Sequence, residues 1–241
     1  MKYQISLNNF YRRMRPVKQL FGNVFQPPLQ SLVLAMRENS VDCVLDVGAN
    51  GGQFAIDLRI SGYKKEIHSF EPSSTGYSVL EKKSKNDQNW SAYQYGFGNK
   101  VERKILKVTS NNGLSSSVLN LSKHKHYFPD AKVLFEEEIQ LNTIKNFLEA
   151  KSIDASRAML KLDTQGYEYN ILKGAGEYLA DFALVYCETS LIQLYEDEKI
   201  FEDVFELLTS HSRRLIDVSN GLRLKSGKLL QVDILTDRNK K

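Results

Sequence analysis

Val44-Leu45-Asp46-Val47-Gly48-Ala49-Asn50-Gly51-Gly52-Gln53-Phe54 reads as a short apolar strand that ends on an acid, then a glycine-rich turn, then the start of an amphipathic helix. Glycine lacks Cβ, so such a turn can be sharp and can let backbone approach a ligand closely. Open α/β sheets bind their ligands just past the C-terminal ends of the strands. A second acid fits the same plan. Glu71 closes the next strand-like run, Glu66-Ile67-His68-Ser69-Phe70, and lies 71 − 46 = 25 residues after Asp46. An acid at about that distance, at the tip of the second strand, is placed to accept hydrogen bonds from ribose hydroxyls.

The glycine spacing narrows the nucleotide. A dinucleotide fingerprint needs G-x-G-x-x-G, whose amides cradle a pyrophosphate; here the pattern is Gly48-x-x-Gly51-Gly52, with Asp46 two residues before the first glycine. An acid at the start of the turn repels phosphate and suits a cationic ligand. S-adenosylmethionine offers an adenosine, a ribose, an α-ammonium and a sulfonium, and no phosphate. The turn and the ribose acid together favour that cofactor over NAD. They assign Asp46, Gly48, Ala49, Asn50, Gly52, Phe54, Glu71 and Pro72 to its binding.

At 241 residues the chain suits one α/β domain with a substantial core. Apolar residues make up 41% and charged residues 26%, a soluble balance, and the net charge of +4 (33 − 29) is too mild to suggest nucleic acid. Cys43 and Cys187 both lie in strand-like runs and read as reduced, buried thiols of a cytoplasmic protein. No run approaches the roughly 18 apolar residues of a membrane span. The first ten residues lack the apolar core and cleavage site of a secretory signal.

Residues 1–40 read as a helical lead-in. Arg12, Arg13, Arg15 and Lys18 are interleaved with Tyr11, Met14, Val17, Leu20 and Phe21, a face that either touches an anionic lipid or glycan or packs on the domain edge. Pro27-Pro28 breaks this segment, and a second helix follows over about 29–39. Residues 41–241 form the single domain. Strand two is followed by a helix over about 75–84 and a third strand over 91–99, whose exit loop makes Phe97 and Gly98 candidate neighbours of the adenine. The sixty residues from 99 to 158 are too long for a simple crossover and predict a small β-excursion and a lid, with Asn111-Asn112-Gly113 as a hairpin-like turn. Met159-Leu160-Lys161-Leu162-Asp163 is the fourth strand and 182–188 the fifth; a helix over 198–208 and strands over 214–218 and 229–235 close the chain. The order describes a doubly wound sheet with an antiparallel edge.

With these pieces in place the chain resembles the FkbM family of S-adenosylmethionine-dependent methyltransferases, from about Val44 to Asp237. The resemblance is carried by Asp46-Val47-Gly48-Ala49-Asn50-x-Gly52-x-Phe54, Glu71-Pro72, and Lys161-Leu162-Asp163-Thr164-Gln165-Gly166-Tyr167-Glu168 with Gly174, and by Glu188 and Gln231-Val232-Asp233. Gly113-x-Ser115-Ser116-Ser117 looks like the family's serine-rich loop. The family's usual third motif is K-I-D-V-E-G-x-E, so Thr164-Gln165 replaces Val-Glu and one acid is missing. The resemblance implies a Rossmann-like, seven-stranded class I methyltransferase sheet and methyl transfer to oxygen, often on sugars or secondary metabolites.

A hydroxyl is a poor nucleophile until its proton is leaving, so a base or a metal is expected at the site. Asp163, at the tip of the fourth strand, is the first candidate: it could take the proton, bind the methionine end of the cofactor, or hold a divalent cation. Glu188, at the same rim, could orient the acceptor. His124 or His126, in the lid region, could also be the base. Lys161 reads as the partner of a nearby acid, Glu168 as a carboxylate in a helix first turn, and His68 as core or rim. No zinc-type Cys/His spacing is present. The acceptor expected is a small molecule or a glycan. A nucleic-acid methyltransferase would want a basic stripe or an amino-methylating Pro-Pro motif at the fourth strand, where Asp163-Thr164-Gln165-Gly166 stands instead. A non-catalytic scaffold and a nicotinamide dehydrogenase are the remaining alternatives, the latter disfavoured by the missing third glycine.

Overall fold

Parallel strands buried on both faces should be continuously apolar, and the strand before the glycine turn, β1 (Cys43–Val47), is buried along its whole length. In the computed structural model, which describes residues 29–239 except 112, β1 lies between β2 (Glu66–Phe70) and β7 (Ala158–Leu162), parallel to both. Outward on one side β2 pairs with β3 (Trp90–Tyr93). On the other side β7 pairs with β8 (Leu184–Ser190), followed by β10 (Gln231–Arg238) and β9 (Arg213–Asn220), the last two joined antiparallel. The seven-stranded order is β3-β2-β1-β7-β8-β10-β9. The chain therefore reverses direction of winding between β1 and β7, where open α/β sheets present their crevice.

Side chains alternate across each strand and supply two cores. Leu45, Val47, Phe70, Leu160, Leu162 and Val185 meet Phe147 and Ile171 on one face. Val44, Met159 and Leu184 meet Ala55, Leu58 and the first described helix on the other. That helix, α1 (Gln30–Glu38), buries Leu32, Val33 and Met36 and matches the expected one; the expected lead-in upstream of it lies outside the described residues. Helix α2 (Gln53–Ile60) leaves the glycine turn at Gly52, and α3 (Ser74–Ser84) starts at Ser73, whose Oγ accepts from the Gly76 amide.

The excursion between the third and fourth core strands is a second sheet. It has the order β4-β6-β5, with β4 (Gly96–Phe97) parallel and β5 (Glu102–Thr109) antiparallel to β6 (Val133–Asn142). The stretch around Asn111 does not close a tight hairpin as expected. Beyond β5 the Ser110 amide donates to Lys132 O, so the pairing to β6 continues across a long loop that holds the one-turn α4 (His124–Tyr127). Helices α5 (Ile144–Lys151), α6 (Glu168–Gly174), α7 (Tyr178–Asp181) and α8 (Phe201–Ser210) complete the layers. Among the described residues no helix is long and apolar enough to cross a membrane.

Candidate functional site

The turn after β1 is built from left-handed residues: Gly48 at φ +76°, Asn50 at +46° and Gly52 at +77°. A Cβ on Gly48 would lie 1.8 Å from Asp163 O, so only glycine lets this turn pass beside the tip of β7. A Cβ on Gly52 would lie 2.8 Å from the Trp90 ring, which fixes the start of α2 against β3. The amides of Gly48 and Ala49 both donate to Phe70 O, tying the turn to the end of β2.

Glu71 follows directly. Its Oε2 accepts from the Asn50 amide at 2.8 Å and its Oε1 from the Ser73 amide at 3.0 Å. Each oxygen keeps a second lone pair for a ligand hydroxyl. Desolvation raises the carboxyl to about 7, against the downward pull of those two amides.

Asp46 is placed differently from its expected role. It is 0% exposed, with Oδ1 at 3.0 Å from Lys161 Nζ and Oδ2 accepting from Ser69 Oγ at 2.9 Å; Ser69 Oγ in turn accepts from Trp90 Nε1. Neither of its oxygens is exposed. Its function is to hold Lys161 Nζ, which also donates to Gly48 O at 3.1 Å and so braces the turn from behind. Burial disfavours the Lys161 charge, but Asp46, Asp163 and Glu188 outweigh it and hold the ammonium above its ordinary pKa. Phe54 covers this pair: the ammonium sits 5.3 Å from its ring centroid, and the ring stacks on Tyr186.

The second half of the site is the 163–168 loop. Asp163 stands at the tip of β7 with its side chain 43% exposed. Gln165, at φ +56°, donates from Nε2 to Asp163 Oδ1 and to Glu188 Oε2, both at 2.9 Å. Gln231 Nε2 also donates to Glu188 Oε2, and Tyr195 Oη donates to Gln165 Oε1 at 3.0 Å. Burial, with Asp163, Glu168 and Asp233 nearby, pushes the Glu188 carboxyl well above the usual range. Glu168 does not face the site. It accepts from Thr164 N, Thr164 Oγ1 and Gly166 N and thereby holds the loop shut on the start of α6; burial raises it to about 7.

The serine-rich stretch of the excursion packs onto this loop. Ser117 Oγ donates to Gln165 O at 2.8 Å, and Tyr195 Oη lies 3.3 Å from Ser115 O. Sequence reasoning missed Gln165, Tyr195 and Gln231 as site residues; the one available signal was the Gln at a position where the resembled family has Glu.

Other candidates sit elsewhere. Phe97 is 2% exposed and packs its ring against Phe70, Tyr95 and Phe147, so its side chain belongs to the core rather than beside a base. Gly98 is buried with it. A Cβ on Gly174 would lie 2.0 Å from Gly98 O, so the pair of glycines serves the close approach of α6. His124 is not the mobile loop residue expected: it is 3% exposed, wedged against Phe128 and Tyr195, and desolvation lowers its pKa to about 4. Its ring lies against Tyr195, whose hydroxyl donates to Gln165 Oε1. His126 is exposed. Pro72 is half-buried against Gly96.

Residues 46–215, more than half of the chain, match the Methyltransferase FkbM domain family. The chain belongs to the FkbM methyltransferase family. The matched family is a methyltransferase domain, and the seven-stranded sheet agrees with it. The solved FkbM methyltransferase of Methylobacillus flagellatus KT superposes with a TM-score of 0.51 at 14% identity, covering 81% of this chain and 44% of that one. This chain therefore spans less than half of that protein. An rRNA methylase of Streptococcus thermophilus superposes at 0.47, with 12% identity over 89% of this chain and 98% of that one. A 1,6-didemethyltoxoflavin-N1-methyltransferase of Burkholderia thailandensis superposes at 0.46, with 11% identity over 99% and 90%. The chain matches no curated protein.

The FkbM site fits its cofactor. Glu71 offers free lone pairs to a ribose diol, and the carboxyl groups of Glu71, Asp163 and Glu188 outnumber the Lys161 ammonium they face, an environment for a cationic ligand and not for a pyrophosphate. Bound there, S-adenosylmethionine supplies an electrophilic methyl group.

Proposed function

We propose that this FkbM protein methylates a hydroxyl oxygen on a sugar, glycan or secondary metabolite in the cytoplasm. The observation that carries the reading is Asp163: an exposed carboxylate at the tip of β7, oriented by the Gln165 amide that also holds Glu188. Gln165 takes Asp163 Oδ1, and Oδ2, 3.9 Å from the Lys161 ammonium, is the oxygen that receives the proton of an acceptor hydroxyl. Glu188, protonated more readily than an ordinary carboxyl, donates to or accepts from a second hydroxyl and orients the acceptor. The excursion serves as the acceptor-side lid, since its serine loop already bonds to Gln165.

The test is transfer of labelled methyl from S-adenosylmethionine to a panel of sugars, glycans and phenolic metabolites, with RNA alongside. Transfer to a hydroxyl is expected, and Asp163→Asn should lower it by about 10²–10⁴-fold while S-adenosylhomocysteine still binds. Transfer to RNA with no hydroxyl acceptor outside it would overturn the reading.

A further inference from the structure

At the opposite end of the same two strands lies a cluster that methyl transfer does not use. Cys43 and Glu66 open β1 and β2 and face each other in register, and Leu45 is paired with His68. Residues two apart on a strand share a face, so Glu66 and His68 project beside one another and beside Cys43. The thiol sulfur, a Glu66 carboxylate oxygen and a His68 ring nitrogen all lie within 4.8 Å of one another.

We propose that Cys43, Glu66 and His68 bind a divalent transition-metal ion of the zinc type. Sulfur, imidazole and carboxylate are together the donor set of a borderline-soft metal, not of magnesium or calcium. Zinc–donor distances of about 2.0–2.3 Å place tetrahedral donors roughly 3.3–3.8 Å apart, and His68 Nε2 already stands 3.8 Å from Glu66 Oε2. Glu66, whose side chain is 64% exposed, has room to swing toward the other two donors. The imidazole is held for the purpose. Its Nδ1 shares a hydrogen bond of 3.2 Å with the Tyr93 hydroxyl, and the tautomer that donates there presents the Nε2 lone pair to Glu66 and Cys43. Phe147 packs edge-on against the ring at 5.5 Å and completes an apolar wall.

The neighbouring charges are Asp42, engaged by Arg157, and Lys151, which lies over the Tyr93 ring. Binding exchanges the Cys43 thiol proton for the metal and releases that proton to solvent. Three protein donors leave the fourth tetrahedral position to water or another ligand. The five-residue run from Cys43 to Val47, four rises along the strand, separates this site from the glycine turn by about 13 Å, so the ion ties β1 to β2 without entering the cofactor site.

Tag-free, full-length protein would be titrated with cobalt(II) and zinc(II), followed by absorbance and calorimetry. The expected result is about one ion per chain with a thiolate-to-cobalt charge-transfer band. Cys43→Ser should abolish that band, and Tyr93→Phe should weaken binding about 10–100-fold. Glu66→Ala alters an exposed side chain, so it should fold normally, bind S-adenosylhomocysteine as before, and lose at least about tenfold in metal affinity. No uptake by the unaltered protein would overturn the proposal, as would uptake that persists unchanged in Glu66→Ala.

Discussion

Replacing Gln165 by Glu is the sharpest probe of the site, because the two side chains have the same shape. Gln165 Oε1 accepts from Tyr195 Oη, and a glutamate oxygen would keep that bond. The Nε2 position is the one that changes: it now donates to Asp163 Oδ1 and Glu188 Oε2 at 2.9 Å each. A carboxylate oxygen there has no proton to donate and faces two acids. Two hydrogen bonds to charged acceptors, at about 1.5–3 kcal/mol each, are lost when all three groups are ionised. Protonating one carboxyl restores one of them, so the penalty of about 3–6 kcal/mol should fall by about half as pH drops far enough to protonate the cluster.

The sign follows from proton counting. Glu188 already has a folded-state pKa above its ordinary value. It therefore stabilises the fold at low pH and loses that contribution as pH rises through the folded pKa. Gln165→Glu makes the folded cluster bind a further proton that the unfolded chain does not, so the variant's stability should fall more steeply with pH. Urea unfolding at several pH values measures this, with Gln165→Ala as a control that loses the bonds without adding charge. A Gln165→Glu protein as stable as the parent, or one with the same deficit at every pH, would refute the amide bridge.

Four further outcomes follow from the geometry. Glu71 titrates near 7 and binds hydroxyls best as a carboxylate, so S-adenosylhomocysteine affinity should rise as pH increases through that value, and a pH-flat titration would count against it. Glu71→Ala should weaken that binding about 10–100-fold in calorimetry, the equivalent of one charge-assisted hydrogen bond. Gly48→Ala must place a methyl 1.8 Å from Asp163 O at φ +76°, and should cost about 3 kcal/mol or more in urea unfolding. Glu168→Ala strips acceptors from Thr164 N and Gly166 N, each worth about 1–3 kcal/mol when buried unpaired; native-state hydrogen exchange should then rise in residues 163–168 first.

The sequence by itself determined the architecture and the cofactor end. An acid at a strand tip, a glycine where φ must be positive, and a second acid at the end of the next strand are local requirements, and local requirements leave a local pattern. Asp46-x-Gly48, Glu71-Pro72 and Lys161-Leu162-Asp163 are read off the chain for that reason, as is the alternation of strands and helices. The tertiary structure decided what each acid does. Asp46 was legible as a site acid, but only the pairing of β1 with β7 puts Lys161 against it and withdraws it from the surface. Glu71 stays open because its neighbours offer amides and no cation within bonding distance. Gln165 became a bridge only when β8 and the loop of Tyr195 were laid beside it. Phe97 and His124, aromatic residues in loop-like sequence, went to the interior because distant rings were there to pack against. Cys43 and His68, read one at a time as a core thiol and a core or rim histidine, share a cluster because the register of two parallel strands places residues 23 and 25 positions apart on one face. Register and packing are set by the whole core, and no short stretch of sequence contains them.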